Sequence, residues 1–214
     1  MIKFLEKHPY IWYKLSTIFF KNYTLPQIEN IYGKYSELKN FSELSFNLSN
    51  ESQYFYWEIV KLVSDITDTP LTRVLLPWEN DVSKEEIRNG LKDIIGKSEI
   101  VTAWLSSGVD YTWDFEEALP ENIWKYSLII SQAMMEHLVD PYKHMKDLSS
   151  LLEEEGYLIV HTVMPGFMYH RHPVDTIRFF PDWFEEVASK KRLNLKIVSK
   201  YVRDFHIFYM YKKI

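Results

Sequence analysis

The residues of this chain that could do chemistry fall into two short groups. Glu136 and His137 follow an apolar run from Tyr126 to Ser131, and His170, Arg171, His172, Asp175 and Arg178 follow a second run, Tyr157 to Val163. An imidazole titrates near neutral pH and can take a proton from an attacking oxygen or nitrogen, so His137 and His170 are the candidate general bases. Two histidines at i and i+2 beside a carboxylate, His170, His172 and Asp175, are also open to a metal-site reading. Glu136, His172 and Arg178 suit the binding of a polar, anionic or hydroxylated ligand. A plainer reading stands beside each of these. Arg178 paired with Asp175 would brace a loop, and a surface pair of that kind contributes little.

The elements around these groups can be read from apolar periodicity. The two runs are of strand length, and the second is rich in β-branched residues. Between them, Tyr142 to Glu153 places Met145, Leu148, Leu151 and Leu152 at helical spacing. Gly156 is expected to end that helix in the left-handed position that glycine enters without a Cβ penalty. Two strands that are apolar along their length, joined by a crossover helix, predict a parallel pair buried on both faces. Upstream, Thr72 to Leu76 and Glu99 to Leu105 predict two further strands. Ser52 to Ile66 predicts a helix, as does the stretch from Ser83, with a capping box to Glu86, as far as Gly96. Downstream, Asp182 to Ser189 predicts a helix, and Leu193 to Tyr201 with His206 to Tyr211 predict two closing antiparallel strands.

The central unit carries words as well as a pattern. Met135-Glu136-His137-Leu138-Val139-Asp140-Pro141 follows a strand that ends in a small polar residue, and Leu151-Leu152-Glu-Glu-Glu-Gly156 precedes the next strand. These resemble the leu-glu-his-leu-x-asp-pro and leu-leu-lys-pro-gly-gly turns of the class I S-adenosylmethionine (SAM) methyltransferases. His172-Pro173-Val174-Asp175-Thr176-Ile177-Arg178-Phe179-Phe180-Pro181 resembles a segment of one small-molecule subgroup of that family. The resemblance covers roughly the C-terminal half. It implies an α/β, three-layer Rossmann-like sheet of about seven strands with the last antiparallel, SAM as cofactor and a small-molecule, possibly sugar, acceptor. It places His170 and His172 in a loop over the acceptor pocket, so no metal is expected.

Carried onto this chain, the family's cofactor positions fall on Leu76, Trp78, Asn80, Trp104, Asp114, Phe115 and Ser131. The match is incomplete. Leu75-Leu76-Pro77-Trp78-Glu79-Asn80 stands where the family has leu-asp-x-gly-x-gly, so Trp78 and Asn80 occupy the glycine positions. An indole there fills space that the methionine moiety needs, unless it is a core aromatic under a remodelled loop. Trp104 stands where the family has the acid that grips the ribose hydroxyls with two adjacent oxygens. Asp114 corresponds to the acid that accepts from the adenine amino group, or else it caps a turn. Three functions therefore remain open: methyl transfer, a pseudoenzyme that serves as a binding or scaffolding subunit, and unrelated chemistry in the same cleft.

Composition bounds the rest. The chain has 214 residues, 46% of them hydrophobic, with 7 Trp, 15 Tyr and 13 Phe, enough for a sizeable core and for ring-lined surfaces. Glycines number only six, leaving few places where the backbone can hug a phosphate. With no cysteine, disulfides and thiolate chemistry are excluded. A net charge of −5 argues against a nucleic-acid partner. No apolar run reaches the ~20 residues that span a bilayer. No secretory signal is visible, so a cytoplasmic protein is the default expectation. Residues 1–68 are expected to form a helical extension, either a lid or homodimer contact or a simple cap on the sheet edge, ahead of an α/β domain over 69–214.

Overall fold

In the computed structural model the described residues are 58–79, 89–91, 94–165, 167, 174–189, 192–203 and 205–214. The chain divides into two units, Met1–Leu44 and Ser45–Ile214, and all described residues belong to the second. The expectations for the N-terminal extension and for the capping box at Ser83 and Glu86 lie outside the described residues. So do those for Asn80, His170 and His172.

Seven strands form one sheet: β1 Arg73–Pro77, β2 Glu99–Trp104, β3 Tyr111–Thr112, β4 Tyr126–Gln132, β5 Leu152–Val163, β6 Leu195–Arg203 and β7 His206–Lys213. Their order is β3-β2-β1-β4-β5-β7-β6. The pairs through β5 are parallel, whereas β7 runs antiparallel to both β5 and β6. Going outward from the centre, the chain builds β1 to β3 on one side and β4 onward on the other. The order therefore reverses between β1 and β4, and the crevice in which open α/β sheets take their ligands corresponds to the region beyond the carboxyl ends of these strands.

Side chains alternate across each strand and give the sheet two covered faces. On one, Val74, Leu76, Leu128, Ile130, Tyr157, Ile159, Phe208 and Met210 pack with Ile59, Leu62 and Val63 of the helix over 58–64 and with Leu91 and Ile95. On the other lie α1, Pro141–Leu151, and α2, Pro181–Ser189. There the hydroxyl of Tyr211 donates to Phe184 O at 3.2 Å and that of Tyr209 to Pro181 O at 3.2 Å. Helices on both faces of a mostly parallel sheet make the three-layer architecture that the strand-helix-strand pattern predicts.

The asp-pro pair has a mechanical role here. Asp140 caps α1 by accepting from Lys143 N at 2.9 Å, and Pro141 opens the helix where a backbone donor would have no partner. The other end of α1 departs from expectation. The helix stops at Leu151, Leu152 is already extended, and β5 runs through Gly156. The left-handed residue is Glu155, with φ 63°, and the register against β4 slips between Tyr126 and Leu128. Gly156 serves a different need: a Cβ there would stand 2.9 Å from Glu153 O and 3.1 Å from Tyr126 O, so the bulged strand passes too close to β4 for any side chain. Gly96, by contrast, is left-handed at φ 52° after its helix, as expected.

Candidate functional site

The chain leaves both strands that border the crevice in a conformation that L-residues avoid. Trp78 follows β1 with φ 72°, and Ala133 follows β4 with φ 45°. Left-handed backbone costs a residue with a Cβ about 1–2 kcal/mol, and the surrounding structure must hold it there. Trp78 N donates to Ala103 O at 2.7 Å and Ala133 N to His161 O at 2.9 Å. The Trp78 indole lies parallel to the imidazole of His137, with ring centroids 5.6 Å apart and 5° between the planes. It also meets Trp104, from the end of β2, at 4.9 Å and Phe115 at 6.3 Å. Four rings from four segments thus close on one another beyond the carboxyl ends of β1, β2 and β4.

Ser131, fully buried, shares a 3.3 Å hydrogen bond with His144 of α1. Phe115 and Trp113 pack around that imidazole, with ring centroids at 5.3 Å and 6.3 Å. Burial pushes His144 down to about 3, with the neighbouring Lys143 charge acting in the same direction. Leu76 belongs to the apolar cluster on the opposite face. Asp114 accepts from Glu116 N at 3.0 Å, the geometry of a turn cap. Glu116 in turn accepts from Val139 N at 2.6 Å, tying that turn to the start of α1.

The candidate acceptor wall lies after β4. Met135–His137 is a 3-10 turn in which Glu136 is buried and His137 nearly so. His137 Nδ1 contacts Val174 O. A carbonyl can only accept, so Nδ1 carries a proton, and in the neutral imidazole the lone pair is then on Nε2. Glu136 takes the Thr162 hydroxyl at 2.7 Å, and its backbone oxygen accepts from Thr176 N at 2.8 Å. Asp175 and Arg178 form a two-point pair, with Nη2 2.7 Å from Oδ2. That carboxylate, with Glu136 more weakly, holds the Arg178 guanidinium above its usual range.

The structure therefore brings Glu136, His137, Asp175 and Arg178 together, and it brings Trp78, Trp104 and Phe115 together against His137. Sequence reasoning missed Thr162, Thr176 and His144 as supports. Of these, His144 had a signal, since it shares a helical stripe with Leu148 and Leu151. Among the described residues no group of His, Asp and Glu could hold a metal ion. A cavity of about 880 Å³ lies away from these residues, beside Tyr142 and the α2 residues Asp182, Trp183 and Glu186.

A SAM molecule gripped through the family's three contacts does not fit these side chains. At the positions the resemblance assigns to it, Trp78 and Trp104 are in ring contact at 4.9 Å, and Asp114 already accepts a backbone N–H. No family model and no curated sequence matches the chain. Solved structures do. The CcbJ methyltransferase from Streptomyces caelestis is 13% identical with a TM-score of 0.53, covering 74% of this chain and 95% of that one. The N-methyltransferase NodS from Bradyrhizobium japonicum, in complex with S-adenosyl-L-homocysteine (SAH), is 9% identical with a TM-score of 0.50, covering 75% and 86%. The cyclase SpnF is 11% identical with a TM-score of 0.52, covering 73% and 80%. Likeness at such low identity speaks for architecture only.

Proposed function

We propose that this chain, which has the fold of the class I SAM-dependent methyltransferases, transfers a methyl group to an oxygen or nitrogen of a small polar acceptor. The observation that carries this reading is the pairing of Glu136 and His137 at the crevice where the strand order reverses, the place where open α/β sheets take their ligands. His137, its Nδ1 proton committed to Val174, would take the acceptor's proton at Nε2. Arg178 and Asp175 would hold the segment from Val174 to Phe180 against that turn, and His170 and His172 precede it in sequence. Most of the rate would come from proximity and orientation.

The test is formation of SAH when the protein is incubated with SAM and a panel of hydroxylated and amino-bearing small molecules. Turnover with one acceptor class is expected, falling about 100- to 10,000-fold in His137→Gln, as for loss of a general base. Absence of SAH above background with every acceptor would overturn the reading. One observation favours a second reading: Trp78 and Trp104 are already in ring contact at 4.9 Å. Under it the chain keeps the fold as a binding or scaffolding subunit, and SAM neither binds nor turns over.

A further inference from the structure

The disagreement between crevice and cofactor is concentrated in one side chain. A flat group held between two rings needs about 7 Å between the ring planes, two carbon contacts of 3.5 Å each. Trp78 stands 4.9 Å from Trp104 and 5.6 Å from His137, centroid to centroid, so no flat group fits between its indole and either ring. The backbone that aims the ring there is left-handed at φ 72°, a conformation suited to glycine, and Ala133 across the crevice is left-handed as well. Outliers of this kind on both banks of the crevice are held against a local cost and mark a place where the fold gives up ease for position.

We propose that the Trp78 indole is an internal occupant of the crevice, a plug that a nucleoside-bearing ligand must displace, so that this residue sets cofactor affinity. The inference rests on the methyl-transfer reading for the ligand's identity. With the indole swung out, the exposed faces of Trp104 and His137 become the walls against which an adenine or a sulfonium can lie. The affinity measured for the intact protein is the affinity of the open form divided by the rarity of that form. Removing the ring removes that factor.

Calorimetric titration of SAH into the wild-type chain, Trp78→Gly and Trp78→Ala tests the proposal, with thermal unfolding run alongside. Both variants remove the ring, but only glycine also relieves the backbone. Both are expected to bind SAH at least about tenfold more tightly than wild type, as follows if the open form is about a tenth of the population or less. Trp78→Phe keeps a smaller ring in the packing and is expected to gain severalfold, and it stands in should the other two fail to fold. Folded variants that bind SAH no better than a wild type with measurable affinity would overturn the plug and leave the methyl-transfer reading standing. Failure of wild type and all folded variants to bind SAH would overturn both.

Discussion

The hydroxyl of Thr162, on β5, donates to the buried carboxylate of Glu136 at 2.7 Å and so ties the centre of the sheet to the turn that carries His137. The two residues are 26 positions apart, and the bond fixes the wall of the crevice from below. Thr162→Val keeps the shape and deletes the donor. It should cost about 1.5–3 kcal/mol, the range for a hydrogen bond to a charged group, whereas Thr162→Ser should cost less. Urea denaturation of the two variants reads the difference. Equal stability of the valine variant and wild type would mean that the contact carries no weight.

Gly156 and Gly96 make a controlled pair. Alanine at Gly156 puts a Cβ 2.9 Å from one backbone oxygen and 3.1 Å from another, so the β4–β5 pairing has to shift, at about 1–3 kcal/mol. Alanine at Gly96 meets nothing within 4 Å and bears only the left-handed backbone cost of about 1–2 kcal/mol. Gly156→Ala is also expected to lower hydrogen-exchange protection along β4 and β5, while Gly96→Ala leaves it unchanged. Protection lost in both or in neither would contradict this account of Gly156.

Two imidazoles buried neutral give stability a pH dependence. Burial pushes His144 and His161 from about 6.5 down to about 3 in the folded chain. Below about pH 6.5 the unfolded chain binds protons that the folded chain does not, so stability falls as pH drops, each histidine adding up to about 1.4 kcal/mol per pH unit. Above that range the two groups contribute no slope. Urea midpoints at pH 7.5, 6.5, 5.5 and 5 should therefore stay level and then decline, before carboxylates begin to titrate. A flat profile down to pH 5 would show that the two rings are solvated.

Much of the fold was legible because buried strands and a crossover helix write themselves as apolar runs and stripes. Tyr126 to Ser131, Tyr157 to Val163 and His206 to Tyr211 are such runs and lie within β4, β5 and β7, and their pairing follows from handedness and connection length. The Arg178–Asp175 pair was legible for a local reason, being three residues apart. What escaped were contacts between distant segments and the direction of single side chains. An acidic run ending in glycine reads as a helix stop, yet Gly156 is required by its approach to the β4 backbone. Trp78 and Trp104 were plain in the sequence at positions the resemblance assigns to the cofactor, but their mutual contact, and the stack on His137, depend on a backbone angle that no residue type encodes.

The measurement that bears most directly on the central claim is backbone hydrogen exchange of the intact chain with and without saturating SAH. If the crevice at the strand-order reversal is the cofactor site, new protection should appear in the segments that leave β1, β2 and β4, around Trp78, Trp104 and Ala133 to His137, with little change at α2. Protection confined to α2, or no ligand-dependent protection anywhere, would contradict it.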